Sequence, residues 1–323
     1  MRIARWLIIA CLSSCSGKVA QPAPSGSAGN SDNSVAPIMP LVPAPGGSGL
    51  AGRAMMNTGG TSALRDAGLR DASEAHADAA PSPMGSLKLP PAGASFDYQL
   101  GGAYQPQTSV KIVSRDRTAA PAVGLYNICY VNGFQAQPGE ADFWLSEHPE
   151  LVLRDARGEP VIDEDWDELM FDIGSAAKRE QLAEIVGGFI DGCATSGFDA
   201  VEIDNLDSFS RSGGRLSEQD AIDFMALLSK RSHARGLPIA QKNSAELVSK
   251  RAQLGTDFAI SEECNRYDEC GVYTRGYGDA VLVIEYRKAD FDKGCRAFPN
   301  LSMVLRDVNL TTPGGSAYVF EGC

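Results

Sequence analysis

"GFDAVEIDNLDSF", Gly197 to Phe209, opens as a strand and closes on a cluster of acids. Side chains alternate across a strand, so Val201 and Ile203 share one face while Ala200, Glu202 and Asp204 share the other. A buried carboxylate is costly unless it is paired or used, and Asp207 follows with Asn205 between. An apolar face suits a covering helix layer, and a carboxylate face suits the axis of a closed sheet. Asp204 then stands at the mouth and Glu202 one layer deeper, roughly 6–7 Å below it.

The chain around this stretch supports a closed sheet. Strand-like runs occur at "FDYQL" (96–100), "VKIVSRD" (110–116), "VGLYNICYVN" (123–132), "ELMFDI" (168–173) and "FDAVEID" (198–204). They continue at "LPIAQKN" (237–243), "FAISEEC" (258–264), "AVLVIEY" (280–286) and "LSMVLRD" (301–307). Helical patterns fill the gaps, one of them opening on a capping box of Ser217 with Asp220 and stopping at Gly236. Alternating β and α elements predict a parallel sheet covered by helices. Nine runs compete for eight places, so one of the first or last runs is expected outside the ring. Asp116, Asn132, Asp172, Asp204, Asn243, Glu262, Glu285 and Asp307 all fall at or beside the C-terminal end of a run. Barrel enzymes gather their chemistry on that face, whereas an open doubly wound sheet gathers it only around its switch point. The expected fold is therefore a single-domain (β/α)8 TIM barrel over 96–323.

The rest of the chain reads differently. Residues 16–95 are rich in Gly, Pro, Ala and Ser and hold no Trp, Tyr or Phe, the composition of a disordered tether. A flexible coil of roughly 80 residues spans about 50 Å. From residue 96 onward 36 acidic residues face 22 basic ones, a formal charge of −14, while the preceding part is weakly positive. Nucleic acid is not the expected partner, because phosphate binding needs a basic footprint. The leader "MRIARWLIIACLSSC" has Arg2 and Arg5 before an apolar run too short to span a bilayer. Leu12-Ser13-Ser14-Cys15 resembles a bacterial lipobox, so 1–15 is expected to be removed up to Cys15, with the membrane as a partner through a lipid on that residue. The expected location is the bacterial cell envelope. Six cysteines then remain in an exported domain, Cys129, Cys193, Cys264, Cys270, Cys295 and Cys323, an even number that predicts three disulfides. Only Cys264 with Cys270 is suggested by closeness. His148 and His233 are too few and too far apart for a histidine-based zinc site, and no cofactor is implied.

Two carboxyls from different strands, meeting over a cleft, are what glycosidic cleavage requires. No G-x-S-x-G and no phosphate loop competes with that reading. "SEECNRYDEC" (261–270) supplies the second cluster, and alternation leaves open which of Glu262 and Glu263 faces the axis. From about Phe96 to the end the chain resembles the endo-α-1,4-polygalactosaminidase family of glycoside hydrolases, family 114. The resemblance rests on "YQLGG" (98–102), "YNICYVN" (126–132), "EIDNLDS" (202–208), "QKN" (241–243), "SEEC" followed by "YDEC" (261–270), and "IEY" (284–286), in that order. It implies a barrel enzyme that cuts galactosamine-containing polysaccharide internally, with Asp204 and Glu262 as the acidic pair. On that reading Asp204 acts as nucleophile or base and Glu262 as proton donor. Tyr98, Tyr130, Asp172, Asn205, Asp207, Lys242, Asn243, Glu285 and Tyr286 are the candidates for binding or orienting substrate. Lys242 has a second reading as buried partner of Glu202, and Trp166 lies in an acidic loop suited to a cleft wall. The rival readings are a non-catalytic carbohydrate-binding surface protein, a divalent-cation site built from Asp204, Asp207 and Glu262, and a glycosidase acting on another amino-sugar polymer.

The anchor has its own test. Wild-type protein should sediment with membranes and Cys15→Ser should be released; a wild type already in the soluble fraction contradicts the lipobox reading.

Overall fold

The computed structural model describes residues 87–137 and 139–323. The leader with Cys15, and the expected tether up to residue 86, lie outside the described residues. Eight parallel strands form the sheet: β1 (Phe96–Gln99), β2 (Ile112–Asp116), β3 (Tyr126–Asn132), β4 (Ala200–Asp204), β5 (Ile239–Lys242), β6 (Phe258–Glu262), β7 (Val281–Glu285) and β8 (Ser302–Arg306). Each pairs with the next in chain order, the arrangement of a (β/α)8 barrel. Among the described residues no helix is long and apolar enough to cross a membrane.

Alternation sorts the two faces as the opening stretch requires. Ala200 packs inside the ring with Phe96, Ile128, Phe258, Ile260 and Ile284. Val201 and Ile203 face outward, onto Leu182 and Val186 of the helix Ala176–Ser196 and Phe224 and Leu228 of the helix Glu218–Ala234. The second of these helices carries the expected capping box: Ser217 Oγ accepts from the Asp220 N–H at 3.2 Å and the Asp220 carboxylate accepts from the Ser217 N–H at 2.9 Å. It gives way to Gly236 at φ 74°, a left-handed position that suits glycine.

The run left out of the ring is neither the first nor the last. It is 168–173, in the middle of the chain. β3 pairs directly with β4, from Ile128 against Ala200 to Asn132 against Asp204, which leaves no room between them. Glu168–Leu169 instead pairs antiparallel with Ile162–Asp163, and Met170 and Phe171 bridge to Gln135 and Val152. The run reads as a strand because Leu169, Met170 and Phe171 are buried, but they are buried in the helix-side core of the long β3–β4 crossover.

A final short strand, Phe320–Gly322, lies antiparallel on β8. The seam between β8 and β1 is bridged by a side chain: the fully buried Arg306 donates to Asp97 Oδ1 at 3.0 Å, to the Tyr98 carbonyl, and to the Val319 carbonyl at 2.9 Å. A guanidinium suits this place because its five fixed donors satisfy several acceptors at once. Among the described residues there are three disulfides, Cys129–Cys193, Cys264–Cys270 and Cys295–Cys323. The first ties β3 to the end of the helix Ala176–Ser196, and the last ties the helix Lys288–Ala297 to the C-terminus.

Loop length orders these bridges. Cys129–Cys193 spans 64 residues and Cys264–Cys270 spans 6. Replacing both cysteines of the long bridge by Ala should lower the unfolding free energy by about 4 kcal/mol, against about 2 kcal/mol for the short one. Urea unfolding of the two double variants checks the order; equal losses contradict it.

Candidate active site

Three neighbouring strands deliver the site. β4, β5 and β6 end on Asp204, Lys242 and Glu262, and the next residue in each case takes a left-handed backbone: Asn205 at φ 65°, Asn243 at φ 48° and Glu263 at φ 56°. Asparagine adopts this conformation readily and glutamate does not, so the turn at Glu263 is held by its surroundings. The chain thus leaves the sheet at once, and the acid stays as the last strand residue, facing the axis. Glu262 follows the inward row of Phe258 and Ile260, whereas Glu263 turns away to pair with Arg266 at 2.5 Å. The choice that alternation left open falls to Glu262.

At the centre is Lys242, whose side chain is 2% exposed. Its Nζ lies 3.0 Å from Tyr98 Oη, 3.1 Å from Asp204 Oδ2, 3.3 Å from Glu262 Oε2 and 3.3 Å from Glu202 Oε1. Glu202 is fully buried beneath it and accepts from Tyr98 Oη at 2.6 Å and Ser114 Oγ at 2.7 Å. Asp204 accepts from Tyr130 Oη at 3.0 Å and from the Asn205 N–H at 2.8 Å. Glu262 accepts from Tyr286 Oη and from Asn243 Nδ2 at 3.1 Å, and its own N–H donates to Asn243 Oδ1 at 2.8 Å.

The charges settle unequally. Burial pushes the Asp204 carboxyl up, but the Lys242 ammonium, the Asn205 N–H and the Tyr130 hydroxyl outweigh it and hold Asp204 below the ordinary carboxylate range. For Glu202 burial wins over Lys242 and the carboxyl is raised. Burial works against the Lys242 charge, yet Asp204, Glu262, the Tyr98 hydroxyl and Glu202 raise its pKa well above the ordinary lysine value. The position between Asp204 and Glu262, where a bridging divalent cation would have to sit, is filled by this ammonium, and Asp207 is turned to Arg211 at 2.6 Å.

The other sequence candidates divide. Tyr130, Asn205, Lys242, Asn243 and Tyr286 surround Asp204 and Glu262. Tyr98 belongs to the same network but is fully buried at its floor, out of reach of a substrate. Asp172 sits in the crossover run and pairs with Lys178 at 2.5 Å. Glu285 lies on the outward row with Val281 and Val283 and is fully buried in the helix-side layer. Both stand apart from Lys242 because their run or their parity differs from that of the mouth residues. Two residues escaped the sequence reading. Ser114 is legible after the fact, since it shares an inward row with Ile112 in β2. Glu168 is not: it comes from the crossover hairpin and accepts from Asn132 Nδ2 at 2.8 Å and Asn205 Nδ2 at 3.3 Å. Burial pushes its carboxyl to about 7, against the Asn132 hydrogen bond and with help from the Asp204 charge.

A model of glycoside-hydrolase family GH114 matches residues 76–323. Among solved structures, Ega3 from Aspergillus fumigatus in complex with galactosamine is similar at 22% identity and a TM-score of 0.59, covering 75% of this chain and 100% of that one. The glycoside hydrolase domain of PelA from Pseudomonas aeruginosa is similar at 15% identity and a TM-score of 0.49, covering 69% and 98%. The likeness to Ega3 shows a shared fold. No curated protein matches the chain.

Removing one partner from a buried ionic cluster leaves charge uncompensated. Lys242→Met should therefore lower stability at pH 7 by about 3–5 kcal/mol. The loss should shrink as pH falls below the ordinary carboxylate range, because the stability that Asp204 draws from Lys242 is complete above that range and is lost as pH falls through the depressed value of Asp204. Urea unfolding at pH 7 and pH 2.5 checks this; a loss that is the same at both pH values contradicts it.

Proposed function

Since the chain belongs to glycoside-hydrolase family GH114 and is a glycosidase, we propose that it cleaves internal α-1,4 linkages of galactosamine-containing polysaccharide, with Asp204 as nucleophile and Glu262 as proton donor. The observation that carries the roles is the shared ammonium. Asp204 Oδ2 and Glu262 Oε2 each lie within 3.3 Å of Lys242 Nζ, so they can be no more than 6.4 Å apart, the sum of the two distances. That bound on the facing oxygens is compatible with a retaining mechanism, whose carboxyl groups stand about 5–5.5 Å apart. Asp204 is held ionised by Lys242, Asn205 and Tyr130, as a nucleophile must be. Glu262 is the more open of the two, with its side chain 26% exposed, as suits a group that exchanges its proton with a leaving oxygen and then with water.

In the first half-reaction an Asp204 oxygen attacks the anomeric carbon, the glycosidic C–O bond breaks, and the Glu262 proton passes to the departing oxygen. In the second, Glu262 takes a proton from water, which displaces Asp204 and restores both groups. The ring hydroxyls of the sugar would meet Tyr130, Tyr286 and Asn243. A galactosamine unit is supported by the ligand named for Ega3 and by the acidic balance of the domain, since a free amine is cationic and is drawn to a negative field. The lipid anchor proposed at Cys15 would hold this activity at the cell envelope.

Reducing-end release from partially deacetylated galactosamine polymer tests the reading. Asp204→Asn and Glu262→Gln should each reduce kcat by about 10³-fold or more with the circular dichroism spectrum unchanged. Binding of polymer without cleavage by a folded wild type would instead mark a carbohydrate-binding protein.

A further inference from the structure

Behind the mouth, on the outer face of β7, a second carboxyl stands where a charge is poorly served. Glu285 is fully buried. Its Oε1 accepts from the backbone N–H of Asn265 at 2.8 Å and from Asn265 Nδ2 at 3.0 Å. Among the described residues its Oε2 is buried without a partner, and so is the Oδ1 of the same Asn265. Two orphaned acceptors on one side-chain pair are unfavourable for a carboxylate, because each has given up water for nothing. A single proton resolves both. A carboxylic acid is one donor and one acceptor, a carboxamide likewise presents a donor and an acceptor, and the two are complementary when the acid is neutral.

Among the described residues the charged groups around Glu285 leave it no cation. Helix Lys288–Ala297 brings Asp290, which pairs with Arg287 at 3.2 Å, and Lys293, whose Nζ is engaged by the Asn265 carbonyl at 2.7 Å and by Asp268 at 2.5 Å. The loop after β6 brings Glu263, paired with Arg266, and the Cys264–Cys270 disulfide, whose sulfurs lie within 4.8 Å of a Glu285 oxygen. β8 brings Met303, whose sulfur lies 3.6 Å from Asn265 Nδ2. Gly294 completes the enclosure: a Cβ there would meet Asn265 Nδ2 at 2.2 Å.

We propose that Glu285 works as a neutral carboxylic acid, locked to the Asn265 carboxamide, and that this pair positions the 263–270 loop and with it Glu262. The connection is short. Glu263, with its left-handed backbone, follows Glu262 and donates its N–H to the Ile284 carbonyl at 2.8 Å, beside Glu285 itself. Asn265 is two residues further on. Glu285 is therefore a positioning residue, and its effect on the reaction rests on the assignment of Glu262 as proton donor. Burial raises its carboxyl to about 7; the Asn265 N–H and carboxamide oppose the rise, and Asp290 and Glu263 add to it. The sign follows. An acid raised in the fold keeps its proton between the ordinary glutamate range and about 7, so its contribution to stability is complete at acid pH and is lost as pH rises through that value.

The test uses Glu285→Gln, which keeps one donor and one acceptor but no titrating proton, Glu285→Leu, which keeps neither, and Gly294→Ala, which keeps Glu285 itself but sets a methyl against Asn265 Nδ2 and Met303 Sδ. Difference infrared spectra of wild type against Glu285→Gln should show a protonated-carboxyl band at pH 5.5 that is absent from the variant. Melting temperature should fall from pH 5.5 to pH 8 more steeply in wild type than in Glu285→Gln. On active enzyme, kcat should drop more steeply over the same interval in wild type than in Glu285→Gln, with KM unchanged, while Glu285→Leu and Gly294→Ala should lose kcat at every pH. A Glu285→Gln variant as impaired as Glu285→Leu, or one whose melting profile parallels that of wild type, overturns the proposal. The infrared and melting measurements need no substrate, so they decide the neutral pair even if the assignment of Glu262 fails.

Discussion

One ammonium has to serve three carboxyls in a space nearly closed to water, and much of the site follows from how that imbalance is resolved. Lys242 cannot neutralise Glu202, Asp204 and Glu262 together. Glu202, deepest and closed off by the Tyr98 and Ser114 hydroxyls, drifts toward the neutral form. Asp204 gathers a backbone N–H and a phenol in addition to the lysine and stays ionised. Glu262 remains at the edge with Tyr286 and Asn243. Identical functional groups therefore differ in their hold on a proton because their neighbours differ, which is how environment can set neighbouring carboxyls apart. The hydroxyls add to the lysine: each is a donor that turns a carboxylate lone pair toward one direction, and the Tyr98 hydroxyl also accepts from the ammonium.

The barrel makes this arrangement possible through parity and abrupt strand ends. Inward rows are apolar low in the ring and polar toward its top, so the acids occupy the two layers nearest the mouth, Glu202 beneath Asp204 and Glu262. The left-handed turns after β4, β5 and β6 stop the strands at Asp204, Lys242 and Glu262. Between β8 and β1, where no backbone ladder joins the described residues, Arg306 bridges from a buried position, satisfying Asp97 and the Tyr98 carbonyl across the seam.

Much of this was legible in the sequence because the period of a strand is short and strict. Val201 and Ile203 against Glu202 and Asp204 determine which way the acids point, and the same rule puts Ile112 and Ser114 in one row. Parity also separates Glu285 from Tyr286, adjacent in sequence and opposite in orientation. What could not be read depends on contacts between distant segments. The hairpin that carries Glu168 lies inside a crossover whose apolar residues imitate a ring strand, and nothing local distinguishes burial among helices from burial in the sheet. Alternation could not choose between Glu262 and Glu263 because both candidate rows are plausible; the choice is made by the turn at Glu263 and by Arg266 on the outer side. Lys242 left two readings open, partner of Glu202 or member of the mouth, and its long side chain allows both at once.

The central claim is that Lys242 holds Asp204 as an ionised nucleophile within reach of Glu262, and the most direct measurement is to trap the bond it forms. Glu262→Gln, incubated with a galactosaminyl fluoride, lacks the base that hydrolyses the intermediate but has no need of an acid to expel fluoride. Intact-mass and peptide mass spectrometry should then find one galactosaminyl unit esterified to Asp204, and none when Asp204 is also changed to Asn. An adduct on another residue, or fluoride release that never leaves sugar on the protein, would contradict the account.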